Sequence, residues 1–362
     1  MIAITNGSLT STEDVAGTRI FRLAVGLALA LAFSQAVNWP ASFITPILVA
    51  TLLALPLPAP SIKFALGFIL VITGSLLLGL LLLPALHNQP AAGVLLIALG
   101  IFACFYYAES GGSAALITFL LLGVTIIPAV GSESVDGALI ITGGLIVGAI
   151  IAFLFIWLAY ALFPERLATM PPAKPKAAVR ATSEVVRGAL RSSSIVLPVM
   201  LWFLFASETS AYAAVLIKVA TMGQQTSLEG TRAAGRDLML STLIGGIAAL
   251  IIWNVLQIWP SLLIYSLLFL LCGLMLGPRI FADKGLAPLG PVWSYGLVTM
   301  IILIVPAAAD TVTGDAAGAK FFDRIAMFVI ATFYAVAAVY IFDQLWPAKK
   351  AGNNELRIRG RR

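Results

Sequence analysis

Charge is what this sequence has least of. Asp, Glu, Lys and Arg together make up 10% of its 362 residues, where a soluble domain carries roughly a quarter. Apolar residues make up 60%, too many for the remainder to clothe in water, so lipid is the expected solvent. The two cysteines, Cys104 and Cys272, both lie inside apolar segments. That excludes a disulfide framework and a thiolate metal site and leaves packing as their expected role. The single histidine, His87, falls in a short polar break, and there is no Walker lysine loop, HExxH helix or zinc cluster. No metal, no cofactor and no enzymatic activity are expected, ATP hydrolysis included.

What the chain does contain is long apolar runs, such as Phe64 to Leu83 and Ala138 to Phe163. Each is near the roughly 20 residues a helix needs to cross about 30 Å of hydrocarbon. A barrel would alternate polar and apolar residues instead. Turn and charge signals divide the runs into spans near 20–38, 41–58, 64–85, 91–107, 113–130 and 138–163, then near 193–208, 211–225, 238–257, 260–277, 287–307 and 321–346. The expected fold is therefore an all-α polytopic membrane protein of about twelve transmembrane helices. The stretch Leu23 to Ala36 lacks the compact basic start of a signal peptide and is read as a retained helix.

The net charge of +6 sits in short loops rather than on a folded basic domain, so it signals topology and not nucleic-acid binding. Arg19, Arg22, Lys63, the run Arg166 to Arg191, Arg232, Arg236, Arg279, Lys284 and the tail from Lys349 to Arg362 all fall on one side. The opposite loops hold His87, Glu133, Asp136, Glu208, Asp310 and Asp315, with Lys218, Lys320 and Arg324 as exceptions. The positive-inside rule then places both termini in the cytoplasm.

The two sets of six spans read as copies. Val49-Ala50-Thr51 recurs as Val219-Ala220-Thr221, and Pro90 as Pro260. Ile126-Ile127-Pro128-Ala129 recurs as Ile304-Val305-Pro306-Ala307, and Leu162-Phe163-Pro164 as Leu345-Trp346-Pro347. An even number of spans makes the repeat parallel, with a path expected at the interface of the copies. The domain reading is a first six-helix repeat over 1–163, a basic cytoplasmic linker over 164–192, a second repeat over 193–346 and a basic tail over 347–362. Within the linker, Ala177 to Leu190 reads as an amphipathic helix at the inner surface or a solvated connector.

Charges inside spans are costly and mark the first candidates for function. Lys218, in Leu216-Ile217-Lys218-Val219, is the expected contact for an anionic substrate, against the alternatives of snorkelling or pairing with Glu208. Arg232 and Arg236, ahead of the glycine-rich Ser241 to Gly246, would make a positive inner mouth, or simply anchor that end. Glu208, Asp323 and Asp343 are candidates for proton coupling, with ordinary helix-end solvation as the rival, and Glu109 likewise sits at a span end. Pro128 and Pro306 would bend their spans and free carbonyls to line a pathway.

These features together suggest a secondary exporter of small organic anions driven by the proton-motive force. A passive anion channel and a non-transporting scaffold subunit of an efflux assembly are the alternatives. The lipid bilayer and the solute are the expected partners, with a homo-oligomer as a further one and no nucleic acid.

Arg22-Leu23-Ala24-Val25-Gly26 followed by a hairpin through Asn38-Trp39-Pro40, and Thr231-Arg232-Ala233-Ala234-Gly235-Arg236 leading into Gly245-Gly246, resemble the fusaric-acid-resistance and aromatic-acid-exporter superfamily. Its wider clan includes the plant aluminium-activated malate transporters. The six-span half repeated around a basic linker carries the same resemblance. It implies efflux of organic, often aromatic, anions from a bacterial inner membrane, in concert with a periplasmic membrane-fusion adaptor. The chain departs from the larger exporters in lacking a sizeable cytoplasmic domain after each half, and no first-half arginine matches Arg236.

Overall fold

The computed structural model describes residues 7–112, 114–164, 181–205, 231–282, 285–313 and 317–347. They form eleven helices and one small hairpin. The helices are α1 (Gly7–Val37), α2 (Ile44–Leu53), α3 (Ile62–Asn88), α4 (Pro90–Glu109), α5 (Ala114–Glu133) and α6 (Val135–Leu162). There follow α7 (Thr182–Phe205), α8 (Thr231–Ile258), α9 (Leu262–Ile280), the antiparallel strands β1 (Phe281–Ala282) and β2 (Gly285–Leu286), α10 (Gly290–Thr313) and α11 (Ala317–Leu345). Ten of the helices are long and apolar enough to cross a membrane, α2 being the short one. The chain is an all-α, multi-pass membrane protein.

The outer faces explain why lipid is required. Leu66, Leu70, Leu77 and Leu81 of α3, Leu263, Leu267, Leu271 and Met275 of α9, and Ile330 and Phe333 of α11 are all exposed. Their spacing keeps each set on one helical face. An apolar surface of that extent is stable only against hydrocarbon chains.

Where the sequence suggested a full span over 41–58, the helix stops after ten residues, because Pro56, Pro58 and Pro60 at alternate positions cannot continue it. The chain goes on without helical structure, and α6 satisfies two of its carbonyls. Tyr160 Oη donates to the Leu57 carbonyl at 2.6 Å and Trp157 Nε1 to that of Pro60 at 2.8 Å. The turn into α2 holds Asn38 and Ala41 at positive φ, and Gly144 lets its Pro40 carbonyl approach α6 closely. A second difference lies at α7. It begins at Thr182, so the described part of the stretch Ala177 to Leu190 is continuous with the following span, residues 177–180 lying outside the described residues.

Contacts fix the direction of each helix. Arg22 Nε and Nη2 donate to the Phe163 carbonyl at 3.2 and 3.0 Å, and Gly26 faces Ala159, so α1 and α6 are antiparallel. Thr45 Oγ1 donates to the Gly148 carbonyl at 2.8 Å, which sets α2 parallel to α6. Ser75 and Gly79 of α3 pack on Phe119 and Gly123 of α5, a parallel pair, and Ser241 and Gly245 of α8 pack on Gly296 and Thr299 of α10 in the same way. In both pairs a carbonyl lies where a glycine Cβ would be, so larger residues would separate the helices. α9 is antiparallel to α1, through Gly273 on Ala24 and Gly277 on Ile20. α11 is antiparallel to α7 and α8.

The bundle thus has an Arg22 end and a Gln35 end. At the Arg22 end lie Arg19, Arg22, Lys63, Arg187, Arg191, Arg236 and Arg279, from the middle of α1, the first turns of α3, α7 and α8 and the close of α9. Glu133, Asp136, Lys320, Asp323 and Arg324 lie at the other. α7 finishes at the Gln35 end and α8 starts at the Arg22 end. The two most buried spans are α5 and α10, which contain Pro128 and Pro306.

A candidate solute-binding cavity

α1 and α9 touch at one end and bound a cavity at the other. At Gly273 a Cβ would lie 2.7 Å from the Ala24 Cα, and at Gly277 it would lie 2.6 Å from the Ile20 side chain, so no space remains between the helices there. Toward the Gln35 end, larger residues replace the glycines, and a cavity of about 500 Å³ opens. Its wall is formed by Gln35 and Ala36 of α1, Trp253, Leu256 and Gln257 of α8, Tyr265 of α9, Ala308 of α10 and Gly318 of α11. The volume is that of a small-molecule site.

Two aromatic side chains give the cavity its chemistry. The indole of Trp253 is stacked on Phe321 of α11, centroids 4.7 Å apart at 20°. Tyr265 meets the ring of Phe269 edge-on, at 5.1 Å. Both are 3% exposed, and neither Trp253 Nε1 nor Tyr265 Oη has a hydrogen-bond partner among the described residues. A buried donor without a partner costs about 1–3 kcal/mol, which an incoming acceptor would recover. The amides of Gln35 and Gln257 and the hydroxyl of Ser261 complete the polar part of the lining, and none of the described lining residues is charged.

The residues singled out in the sequence fall elsewhere. Lys218 and Glu208 lie outside the described residues, as does the side chain of Arg232 in the first turn of α8. Arg236 is exposed at the Arg22 end, its Nε donating to Asp237 Oδ1 at 3.1 Å. Asp323 is exposed on α11, two residues beyond the Phe321 that supports Trp253. Pro306 lies two residues before the wall residue Ala308, and Pro128 is buried inside α5, apart from the cavity.

Asp343 is held by two cations. Arg187 Nη2 lies 2.5 Å from its Oδ1 and Arg191 Nε 3.5 Å from its Oδ2. Arg187 Nε also donates to the Trp346 carbonyl at 2.6 Å, and Gly188 lies against the carboxyl of Glu109. The ends of α4, α7 and α11 are thereby drawn together at the Arg22 end, opposite the cavity mouth. Cys104 is buried in the core and Cys272 is half-buried, and both are free thiols.

Sequence reasoning missed Trp253, Tyr265, Gln35 and Gln257 because it sought charge. For Trp253, Gln257 and Tyr265 the signal was present as hydrogen-bonding side chains on either side of the Trp259-Pro260-Ser261 break, and for Gln35 as an amide near the close of an apolar span.

Comparison with characterised proteins and with solved structures gives no significant match. A family model described as a protein of unknown function (DUF2955) matches residues 19–159, from the start of the buried part of α1 to the last turn of α6.

Proposed function

We propose that the chain is a secondary transporter that exports small organic solutes, organic acids among them, across a bacterial inner membrane, with both termini cytoplasmic. The observation that carries this reading is the cavity between α1 and α9, open at the Gln35 end and closed beneath by the contact of Gly273 with Ala24. A carrier needs a site accessible from one side at a time, whereas a channel needs a continuous path. The excess of basic residues at the Arg22 end, against Lys320 and Arg324 at the other, supports its cytoplasmic placement.

The architecture in this reading is two parallel six-crossing halves. Three pairings support it: α3 on α5 resembles α8 on α10 in its serine and glycine contacts, α1 rests on α9 as α7 rests on α4, and α6 closes on α1 as α11 closes on α7. The opposite placement of the end of α7 and the start of α8 supports a count of twelve. The family match over 19–159 covers α1 to α6, the extent of one half. Resemblance to the aromatic-acid exporters supports efflux, with a periplasmic adaptor as partner.

Lys218, Arg232 and Arg236 remain the proposed anion contacts, and Glu208 and Asp323 the proposed proton-coupling carboxylates. The double ion pair of Asp343 favours a structural role for that residue and is the observation on the side of a scaffold subunit. Purified protein in proteoliposomes decides between the readings, with labelled benzoate and benzamide as probes. Accumulation against a concentration gradient when a proton gradient is imposed supports the carrier. Dissipation alone points to a channel, and no flux of either probe points to the scaffold.

A further inference from the structure

We infer that the cavity at the Gln35 end binds its solute in an uncharged form: a planar, unsaturated molecule bearing a hydrogen-bond acceptor, such as an aromatic amide or the protonated form of a weak acid. The inference deepens the transporter reading, since it takes the cavity to be that transporter's solute site. It rests on three properties of the lining.

The first is the absence of charge among the described residues of the lining. Gln35, Ala36, Trp253, Leu256, Gln257, Pro260, Ser261, Leu262, Tyr265, Ala308 and Gly318 offer no cation to a carboxylate and no anion to an amine. An ion entering such a wall loses its hydration without a counter-charge in return. The pair of helix ends at the Trp259-Pro260-Ser261 break does not supply one. The positive N-terminus of α9 at Leu262 stands beside the negative C-terminus of α8 at Ile258, so the two fields oppose each other.

The second is the pair of unpartnered donors. Indole Nε1 can only donate, and Tyr265 Oη is equally without a partner among the described residues. A carbonyl or amide oxygen satisfies either one without bringing charge. The third is the flat apolar surface. The Trp253 indole is fixed by its stack on Phe321, and Leu256, Pro260, Leu262 and Ala308 border the same space. Rigid rings of this kind take planar partners by offset stacking.

The test is equilibrium binding of benzamide and benzoate to the purified full-length protein in detergent at neutral pH, where the two probes share a shape and differ in charge. Benzamide is expected to bind at least about tenfold more tightly than benzoate, the equivalent of one charge-desolvation or hydrogen-bond difference of about 1.4 kcal/mol. Trp253→Phe and Tyr265→Phe keep a ring at each position and remove the donor. Each should weaken benzamide by about threefold to tenfold while leaving thermal stability near that of the parent. Benzoate binding as tightly as benzamide, or benzamide binding untouched by both substitutions, overturns the inference. So does failure of both probes to bind. The assay needs no transport: benzamide binding of the expected pattern in a protein that carries no flux in proteoliposomes would refute the transporter reading and leave the ligand class standing.

Discussion

Trp253 lies flat on Phe321, ring centroids 4.7 Å apart, and so joins α8 to α11 directly behind the cavity wall. The stack sets the indole plane, while its Nε1 has no partner among the described residues. Removing the ring removes both the support and the wall. Trp253→Ala should destabilise the protein by about 3 kcal/mol, the usual cost of an aromatic-sized cavity. Trp253→Phe should cost under about 1.5 kcal/mol. Thermal unfolding in detergent, followed by tryptophan fluorescence or calorimetry, would separate the two.

Gly273 lets α9 meet the backbone of α1 at Ala24, on the closed side of the cavity. Gly273→Val should cost about 1–3 kcal/mol through overpacking against Ala24. It should also change solute affinity, because spreading the helices lowers the floor. Gly246, with no atom within 4 Å of a Cβ, is the control. Gly246→Ala should be neutral or slightly stabilising, as expected for glycine replaced inside a helix. Equal losses from both substitutions would show that the glycine contact is not what holds the helices together.

At the Arg22 end, Asp343→Asn would leave Arg187 and Arg191 side by side without their shared carboxylate. The pair is partly solvated, at 16% and 19% exposure for Arg187 and Asp343, so the loss should be about 1–3 kcal/mol, below the cost of breaking a fully buried pair. Arg187→Met in the Asp343→Asn background should cost little more. A double-mutant cycle gives the coupling directly. A coupling near zero would mean that the Arg187–Asp343 ion pair does not hold the helix ends together.

Much of the fold is legible in the sequence because lipid imposes simple rules. Ten helices could be placed from run length, and the positive residues marked the common end of α1, α3, α7 and α8. The expected span over 41–58 shows the limit. Hydropathy counts Leu55-Pro56-Leu57-Pro58 as membrane-compatible, yet prolines at that spacing end the helix, and the segment depends on Tyr160 and Trp157, a hundred residues away in sequence, for its carbonyl partners. The start of α7 shows another, since Arg187 on an amphipathic stretch reads as surface while its tertiary pairing with Asp343 holds it half-buried against α11. The cavity was hidden for a different reason. Trp253 and Tyr265 are ordinary residues of apolar spans, and only the divergence of α1 from α9, set by Gly273 and Gly277, makes them a site.

Topology has its own check. Gly137 follows Ser134 at the Gln35 end of α6, where the serine accepts the Gly137 amide at 3.1 Å, and α11 runs to Leu345 at the Arg22 end. Reporter fusions at Gly137 and Ala351 should therefore report opposite sides of the membrane, with Ala351 cytoplasmic. Both on one side would contradict the direction assigned to α11 or to α6.

The most direct measurement is flux through a chain whose cavity can be plugged. Ala36 lines the cavity at its exposed edge, and Cys104→Ala with Cys272→Ala removes the native thiols. In that background Ala36→Cys can be labelled with a bulky, membrane-impermeant maleimide after reconstitution into proteoliposomes. Labelling from the Gln35 side should occur, should be slowed by benzamide, and should abolish solute accumulation, while the unlabelled variant transports normally. Full accumulation after complete labelling would mean that solute does not pass through this cavity, and the account would fail at its centre.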